Sequence, residues 1–309
     1  MDSNTGRIYI VKRCGRLANR IIFYANIIAW AEEKKLKVTN FTFQSYANLF
    51  ESTYLTCGSA YPPSKLRVLS QFSLPITRLL NSIRLQYQCI YLFSKVLLKS
   101  NLLCRVFPIL SDHDFDGTRS LSEIIPDNYW LSRKALLVSG WKFREPILSE
   151  KHSSKIRNFF KPIQKVRQQV EKSFPRREKD KCLVVGVHIR KGDYSNWKGG
   201  KYDYPVCDYI IIMKKILDLF PDNKLSFLIC SNVTLDAEIF NKFDITISHN
   251  SPIEDLYALS MCDLIFGPPS TFTQWASFYG EKPLLHIYNT EEEFNQNSFQ
   301  VSGISNIPG

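Results

Sequence analysis

The sequence lacks most of the features by which a 309-residue chain declares its chemistry. It has no uncharged apolar run of about 18 residues, so no transmembrane helix is expected. Residues 1–7 lead straight into a strand-like run and hold no apolar stretch of a secretory signal. Its eight cysteines stand far apart, none in a Cys-x-x-Cys pair, and several lie inside apolar runs. That argues against a zinc site or a disulfide framework and for reduced thiols in a cytosolic protein. No phosphate-binding P-loop is present. Acidic residues are missing from the whole interval between Glu51 and Asp112, which holds Lys65, Arg67, Arg78, Arg84, Lys95, Lys99 and Arg105.

What is present suits two domains of ordinary size with a substantial core: 44% hydrophobic residues, 15 Tyr and 21 Phe. The net charge of +11 is uneven. Residues 1–179 carry 30 Lys and Arg against 13 Asp and Glu, and the remainder 10 against 16. Such asymmetry favours an anionic partner for the first half, such as a membrane surface, a nucleic acid, or an acidic glycan or lipid.

The chain opens with an apolar run at Arg7–Lys12, a Gly15–Arg20 loop, a helix-spaced stretch to about Lys35 and a second strand at Leu36–Phe43. Gly15 at the strand-to-helix junction, with Arg16 and Arg20 around Asn19, is compatible with anion binding at a helix N-terminus. Residues 61–110 read as a helical insert whose basic residues interleave with an apolar set, compatible with contact to an anionic membrane. Asp112-His113-Asp114-Phe115-Asp116-Gly117 with Glu123 fits the spacing of a calcium loop, but Arg119 occupies its aliphatic slot and prolines break both flanks. An Asp-rich surface turn is the favoured reading, and no metal ligand is assigned. Ala135–Ser139 is a strand ending at Gly140-Trp141-Lys142-Phe143-Arg144, and Pro146 to about Ser173 reads as one long helix. The charged stretch from Pro175 sets a boundary between domains 1–175 and 176–309.

From Cys182 onward strands and helices alternate. Strands are expected at 182–188, 225–230, 245–247, 264–266 and 283–288, with helices at 206–220, 235–242, 253–261 and 272–279. This pattern implies a parallel sheet with helices on both faces. Loops following parallel strands share one edge, so His188–Tyr194, Ser231-Asn232 and Gly267–Thr271 should converge. They offer a guanidinium at Arg190, hydroxyls at Ser231, Ser270 and Thr271, and a helix N-terminus after Ser270. Arg presents a planar fork that donates two parallel bonds to a phosphate. The combination reads as a diphosphate site in which Arg190 supplies the positive charge. Asp193 is the nearest carboxylate and could serve as a base, but support of Arg190 is the favoured role.

These residues resemble a known family. His188-Ile189-Arg190-Lys191-Gly192-Asp193-Tyr194 is similar to the His-x-Arg-x-Gly-Asp-Tyr motif of α-1,2-fucosyltransferases. Gly15-Arg16-Leu17-Ala18-Asn19-Arg20 resembles their N-terminal Gly-x-x-x-Asn-Gln loop and that of protein O-fucosyltransferases. Gly267-Pro268-Pro269-Ser270-Thr271-Phe272-Thr273-Gln274-Trp275-Ala276 is similar to their third motif, and Gly140–Arg144 sits where relatives have a Gly-aromatic segment. The resemblance implies an α/β chain of the GT-B type, two Rossmann-like domains with a helical insert in the first. It implies GDP-fucose as donor and inverting transfer to a glycan hydroxyl, with neither a metal nor another cofactor. It carries the family's phosphate-binding Arg to Arg190, its motif His to His188, its N-terminal loop Asn to Asn19 and its Ser/Thr phosphate contacts to Ser270 and Thr271. The residues themselves add Asp193 to Arg190 and Asn19 as a catalytic candidate, and add Lys191, Ser231, Asn232 and Arg16 as donor contacts. Lys191 and Arg20 depart from the family's usual Arg and Gln. The expected partners are a GDP-sugar, a glycan acceptor, lipid-linked or free, and an anionic membrane surface touched through 61–110, with no nucleic acid. The expected location is cytoplasmic, peripheral to the membrane. Rival readings are a GT-B transferase with another sugar nucleotide, and a non-catalytic membrane- or polyanion-binding protein.

Overall fold

The computed structural model describes residues 6–54, 59–63, 109–112, 117–132, 135–175, 182–306 and 308. Most of the expected insert at 61–110 and the centre of the Asp-rich turn, 113–116, lie outside the described residues. The chain forms two compact units, Met1–Ile163 and Gln164–Gly309. The expected 175–176 boundary falls after the first helix of the second unit. No helix among the described residues is long and apolar enough to cross a membrane.

The first unit is built on a five-stranded sheet. Its strands are β1 (Arg7–Ile10), β2 (Lys37–Asn40), β3 (Ala60–Tyr61), β4 (Ile109–Ser111) and β5 (Ala135–Ser139), in spatial order β3-β2-β1-β5-β4. All pairings are parallel except β2 with β3. The long helix α1 (Leu17–Glu33) buries residues on nearly every side, from Leu17 to Ala31. An apolar helix with so little polar surface belongs inside a core rather than on it. Edge-to-face rings extend that core: Tyr24 meets Phe43, Phe159 and Phe160 at centroid distances of 5.4–5.8 Å.

That aromatic cluster explains the first departure from the sequence reading. The helix expected over Pro146–Ser173 is three: α2 (Pro146–Lys151), α3 (Ser153–Phe159) and α4 (Gln164–Ser173). Phe159 and Phe160 turn inward, and Pro162, which has no N–H to continue a helix, pairs with Phe50 instead.

The second unit carries a six-stranded sheet: β6 (Cys182–Ile189), β7 (Lys224–Ser231), β8 (Ile245–Ile247), β9 (Leu264–Gly267), β10 (Pro283–His286) and β11 (Gln300–Val301). The order is β11-β10-β9-β6-β7-β8, parallel throughout except for β10 with β11. The central strand β6 is wholly apolar apart from His188 because both its faces are covered. One face packs on α5 (Val206–Leu219) through Tyr209, Ile212 and Ile216. The other takes α6 (Pro252–Leu259) and α7 (Thr271–Gly280). Gly186 permits this approach, since a Cβ there would lie 2.7 Å from Leu259 Cδ2.

The helix expected at Leu235–Lys242 is only a 3-10 turn, Ala237–Phe240, capped by Asp236, whose carboxylate accepts from Glu238 N at 3.0 Å. Phe240 is its one buried side chain, too little apolar stripe to hold a longer helix. The chain runs outward from β6 to β7 and β8, then returns to β9 on the opposite flank of β6. The helices after β6 and β9 therefore lie on opposite faces, and the crevice at such a reversal of strand order is where open α/β sheets bind ligands.

Candidate functional site

In the second unit the three loops do converge. Asn232, just beyond β7, grips the loop after β6. Its Oδ1 accepts from Lys191 N at 2.8 Å and its Nδ2 donates to Lys191 O at 3.0 Å. Tyr194 bridges to the loop after β9, donating to Pro269 O at 2.8 Å. The turn between them is made at Gly192, whose φ of +73° suits glycine.

Arg190 is the first residue after β6. Its Nη2 pairs with Asp193 Oδ2 at 2.8 Å, and its guanidinium lies 5.7 Å from the Tyr194 ring centre. Asp193 thus holds the fork in place. Lys191 is committed elsewhere: its ammonium meets Asp203 Oδ1 at 3.0 Å and donates to Tyr204 O. Ser231 Oγ accepts from Val233 N at 3.2 Å, shaping the loop after β7.

His188 and His286 lie at one level of the sheet. His286 is in register with Gly267, and His188 is one residue beyond the Val187–Phe266 pair. Gly267 has no side chain to spare between them, for a Cβ there would meet His188 O at 2.7 Å. Burial, the Arg190 charge and His286 push the His188 imidazole down to about 3. Burial alone takes His286 down to about 4. Both are neutral at physiological pH. Thr273 Oγ1 donates to Ser270 O at 3.0 Å, so His286 Nε2, 2.9 Å away, carries a proton and donates to that hydroxyl. His188 stacks on Phe272 at 5.0 Å, and its buried Nδ1 has no partner among the described residues. Ser270 caps α7, its Oγ accepting from Phe272 N at 3.1 Å, while Thr271 opens the helix. The first turn of α7 holds no acidic residue, leaving its positive dipole end uncompensated.

A cavity of about 530 Å³ opens beside these groups. Arg190, His188 and Phe272 line one part. Ser231, Asn232 and the Ser248–Asn250 segment line another. Its volume is in the range of a small-molecule site. The sequence reading missed its one carboxylate, Asp255, on α6. Ser248 Oγ donates to Asp255, and burial raises the carboxyl to about 6. Cys230 lines the same wall, and burial drives its thiol well above the ordinary value. Nothing in the local sequence marks Asp255, because only the return of α6 against β7 and β8 brings it to the cavity.

Asn19 and Arg16 belong to the first unit. Arg16 is the exposed N-cap residue of α1, and its side chain caps nothing. Asn19 is half-buried in the first turn and packs on Gly15, whose φ is +49° and whose added Cβ would fall 1.9 Å from Asn19 Nδ2. Arg20 closes the same loop. It donates to Gly15 O at 3.2 Å, Thr42 O at 3.3 Å and Ser45 Oγ at 3.1 Å. Arg144 in this unit is 2% exposed and lies against the Trp141 ring at 4.7 Å. Burial lowers it to about 10, and its Nε and Nη2 have no partner among the described residues. Asp112 is buried too, with its carboxylate accepting from Trp141 N at 2.7 Å, while Glu123 is exposed at the start of a one-turn helix. No cluster of three metal-ligating residues occurs among the described residues.

Residues 150–301 match the sequence model of glycosyl transferase family 11. No curated protein matches the chain by sequence. Among solved structures, a GDP complex of an Arabidopsis thaliana FUT1 mutant is similar over 97% of this chain and 74% of its own, at 12% identity and a TM-score of 0.54. Fucosyltransferase NodZ from Bradyrhizobium is similar over 92% and 96%, at 12% identity and a TM-score of 0.51. A NodZ alpha-1,6-fucosyltransferase structure soaked with GDP-fucose covers 96% and 97%, at 14% identity and a TM-score of 0.50. The fold is thus mixed α/β of the GT-B kind, as the sequence motifs implied.

Proposed function

We propose that this chain, whose residues 150–301 match glycosyl transferase family 11, is a fucosyltransferase that moves L-fucose from GDP-fucose to a glycan hydroxyl. Transfer proceeds with inversion and without a divalent metal. The observation that carries this reading is the cavity with Arg190 at one end and Asp255 within it. A nucleoside diphosphate has those two requirements: cationic groups for its phosphates, and a base pocket with a matching edge. Guanine presents N1–H and an exocyclic amine side by side, and a carboxylate accepts from both. The flat faces of His188 and Phe272 provide an aromatic wall.

The chemistry follows from the charge flow. As the sugar leaves, positive charge grows at the anomeric carbon and negative charge on the GDP phosphate. Arg190 and the N-terminus of α7 at Ser270 and Thr271 stabilise that anion without rearranging. Asp193 positions Arg190. Lys191, tied to Asp203, adds field rather than contact. Asn232 and Ser231 hold the loop that carries them. Neutral His188 acts as a hydrogen-bonding group and not as a base. The basic residues between Glu51 and Asp112 draw the enzyme to an anionic membrane surface, where a lipid-linked glycan would be presented.

The test is a comparison of GDP, UDP and ADP by thermal shift, followed by transfer from GDP-fucose with and without EDTA. At a hundredfold excess over Kd, GDP stabilises the native state by about 2.7 kcal/mol. A melting point unmoved by GDP, or moved equally by UDP, refutes the donor assignment.

A further inference from the structure

A second cavity, of about 430 Å³, lies beside β10 and is walled by the segment from Asn289 to Asn306. We propose that this cleft holds a neutral pyranose of the glycan acceptor, an assignment that rests on the glycosyl-transfer reading. Two aromatic side chains face it, Tyr288 and Phe294, and Tyr288 is 46% exposed. Around them stand the amides and carboxylate of Asn289, Glu292, Gln300 and Asn306. A pyranose is amphipathic in the complementary sense: its C–H face lies on an aromatic ring, while its ring-edge hydroxyls pair with groups that accept or donate twice. A nucleotide would find no cation here. Lys215 lies against Phe294 at 5.9 Å, and its ammonium is bonded to Glu293 at 2.9 Å. The carboxylates of Glu292 and Glu293 oppose an acidic sugar.

The cleft is fixed rather than formed on demand. Gln274, 1% exposed, donates to Gly303 O at 2.7 Å and Asn306 O at 2.8 Å. Ser302 N donates to Ser277 Oγ at 2.9 Å. A row of rings joins it to the anion site. Tyr288 meets Tyr202 at 6.3 Å, Tyr202 meets Trp197 at 5.4 Å, and Trp197 meets Tyr194 at 4.8 Å, beside Arg190. Donor phosphates at Arg190 and a sugar at Tyr288 would therefore sit at the two ends of one row of packed rings, with Tyr202 buried between them, in the second unit.

Saturation-transfer NMR on the full chain tests this with methyl β-D-galactopyranoside and methyl β-D-glucopyranoside as probes and methyl β-D-glucuronide as the anionic control. The wild type should saturate the ring protons of the neutral glycosides and the glucuronide at least threefold less. Tyr288→Ala and Glu292→Ala should each cut the neutral signal at least threefold, and Tyr288→Phe should keep it. Saturating GDP should leave it unchanged. Equal signal in Tyr288→Ala, or loss of signal on adding GDP, overturns the proposal. GDP-induced stabilisation of the same samples is read in parallel, so that failure of the donor site is seen separately from failure of the cleft.

Discussion

Replacing Asp255 by Asn isolates the group that the donor reading makes responsible for choosing the base. The change keeps the shape, and the Asn oxygen can still accept from Ser248. It converts one acceptor into a donor, which then faces a donor on guanine. A hydrogen bond to a charged group contributes about 1.5–3 kcal/mol, so the variant should lose about 2–3 kcal/mol, a roughly 30- to 150-fold rise in the Kd of GDP. Isothermal titration with GDP measures it, with ADP as a control whose affinity should not fall. The wild-type carboxyl titrates at about 6. If only the ionised form binds, GDP affinity should drop about tenfold between pH 7 and pH 5, and the variant should show no such slope. Stability moves the other way. The folded pKa is raised from 3.8, so protonation favours the native state, and that stabilisation is lost as pH rises through about 4 to 6. At pH 8 the variant, relieved of a buried charge, should melt no lower than the wild type. Unchanged GDP affinity, equal losses for GDP and ADP, or a surviving pH slope would each refute the role.

Arg190→Lys keeps the charge but loses the fork, and should lower transfer from GDP-fucose about 10²- to 10³-fold in steady-state assays. Gly267→Ala forces a methyl against His188 O at 2.7 Å and should cost about 1–3 kcal/mol in urea denaturation. Tyr194→Phe removes the bond to Pro269 O and should cost about 0.5–1.5 kcal/mol of stability, with the larger effect on GDP affinity. EDTA dialysis should leave transfer unchanged when activity is assayed with and without added magnesium.

The alternation after Cys182 was legible because parallel strands buried on both faces become continuous apolar runs, and the strand at 264–266 follows directly from them. The convergence of the three loops followed from the one-edge rule, and Asn232 and Tyr194 supply the contacts that realise it. Short elements were less readable. The apolar residues of 235–242 suggested a helix, but within Ala237–Phe240 only Phe240 is buried, and Pro162 ended a helix only because an aromatic core claimed Phe159 and Phe160. Asp255 was hidden for a different reason. It sits at an ordinary position of an amphipathic helix, and its role comes from neighbours seven residues and one strand away, Ser248 and Cys230. Lys191 was expected among the donor contacts on charge alone, but a carboxylate and a carbonyl within the chain already hold its ammonium.

The grip of Asn232 on Lys191 has a bearing on salt tolerance. Both hydrogen bonds join uncharged groups, so ionic strength screens neither of them, whereas a Debye length near 8 Å at physiological salt weakens exposed charge pairs. The backbone that aims Arg190 is thus held by a neutral clasp, and salt should loosen the diphosphate's hold on the protein while the loop keeps its shape. An enzyme drawn to a charged surface through its basic half would meet steep ionic gradients there; the loop backbone would keep its shape, while the exposed Arg190–Asp193 pair would feel them.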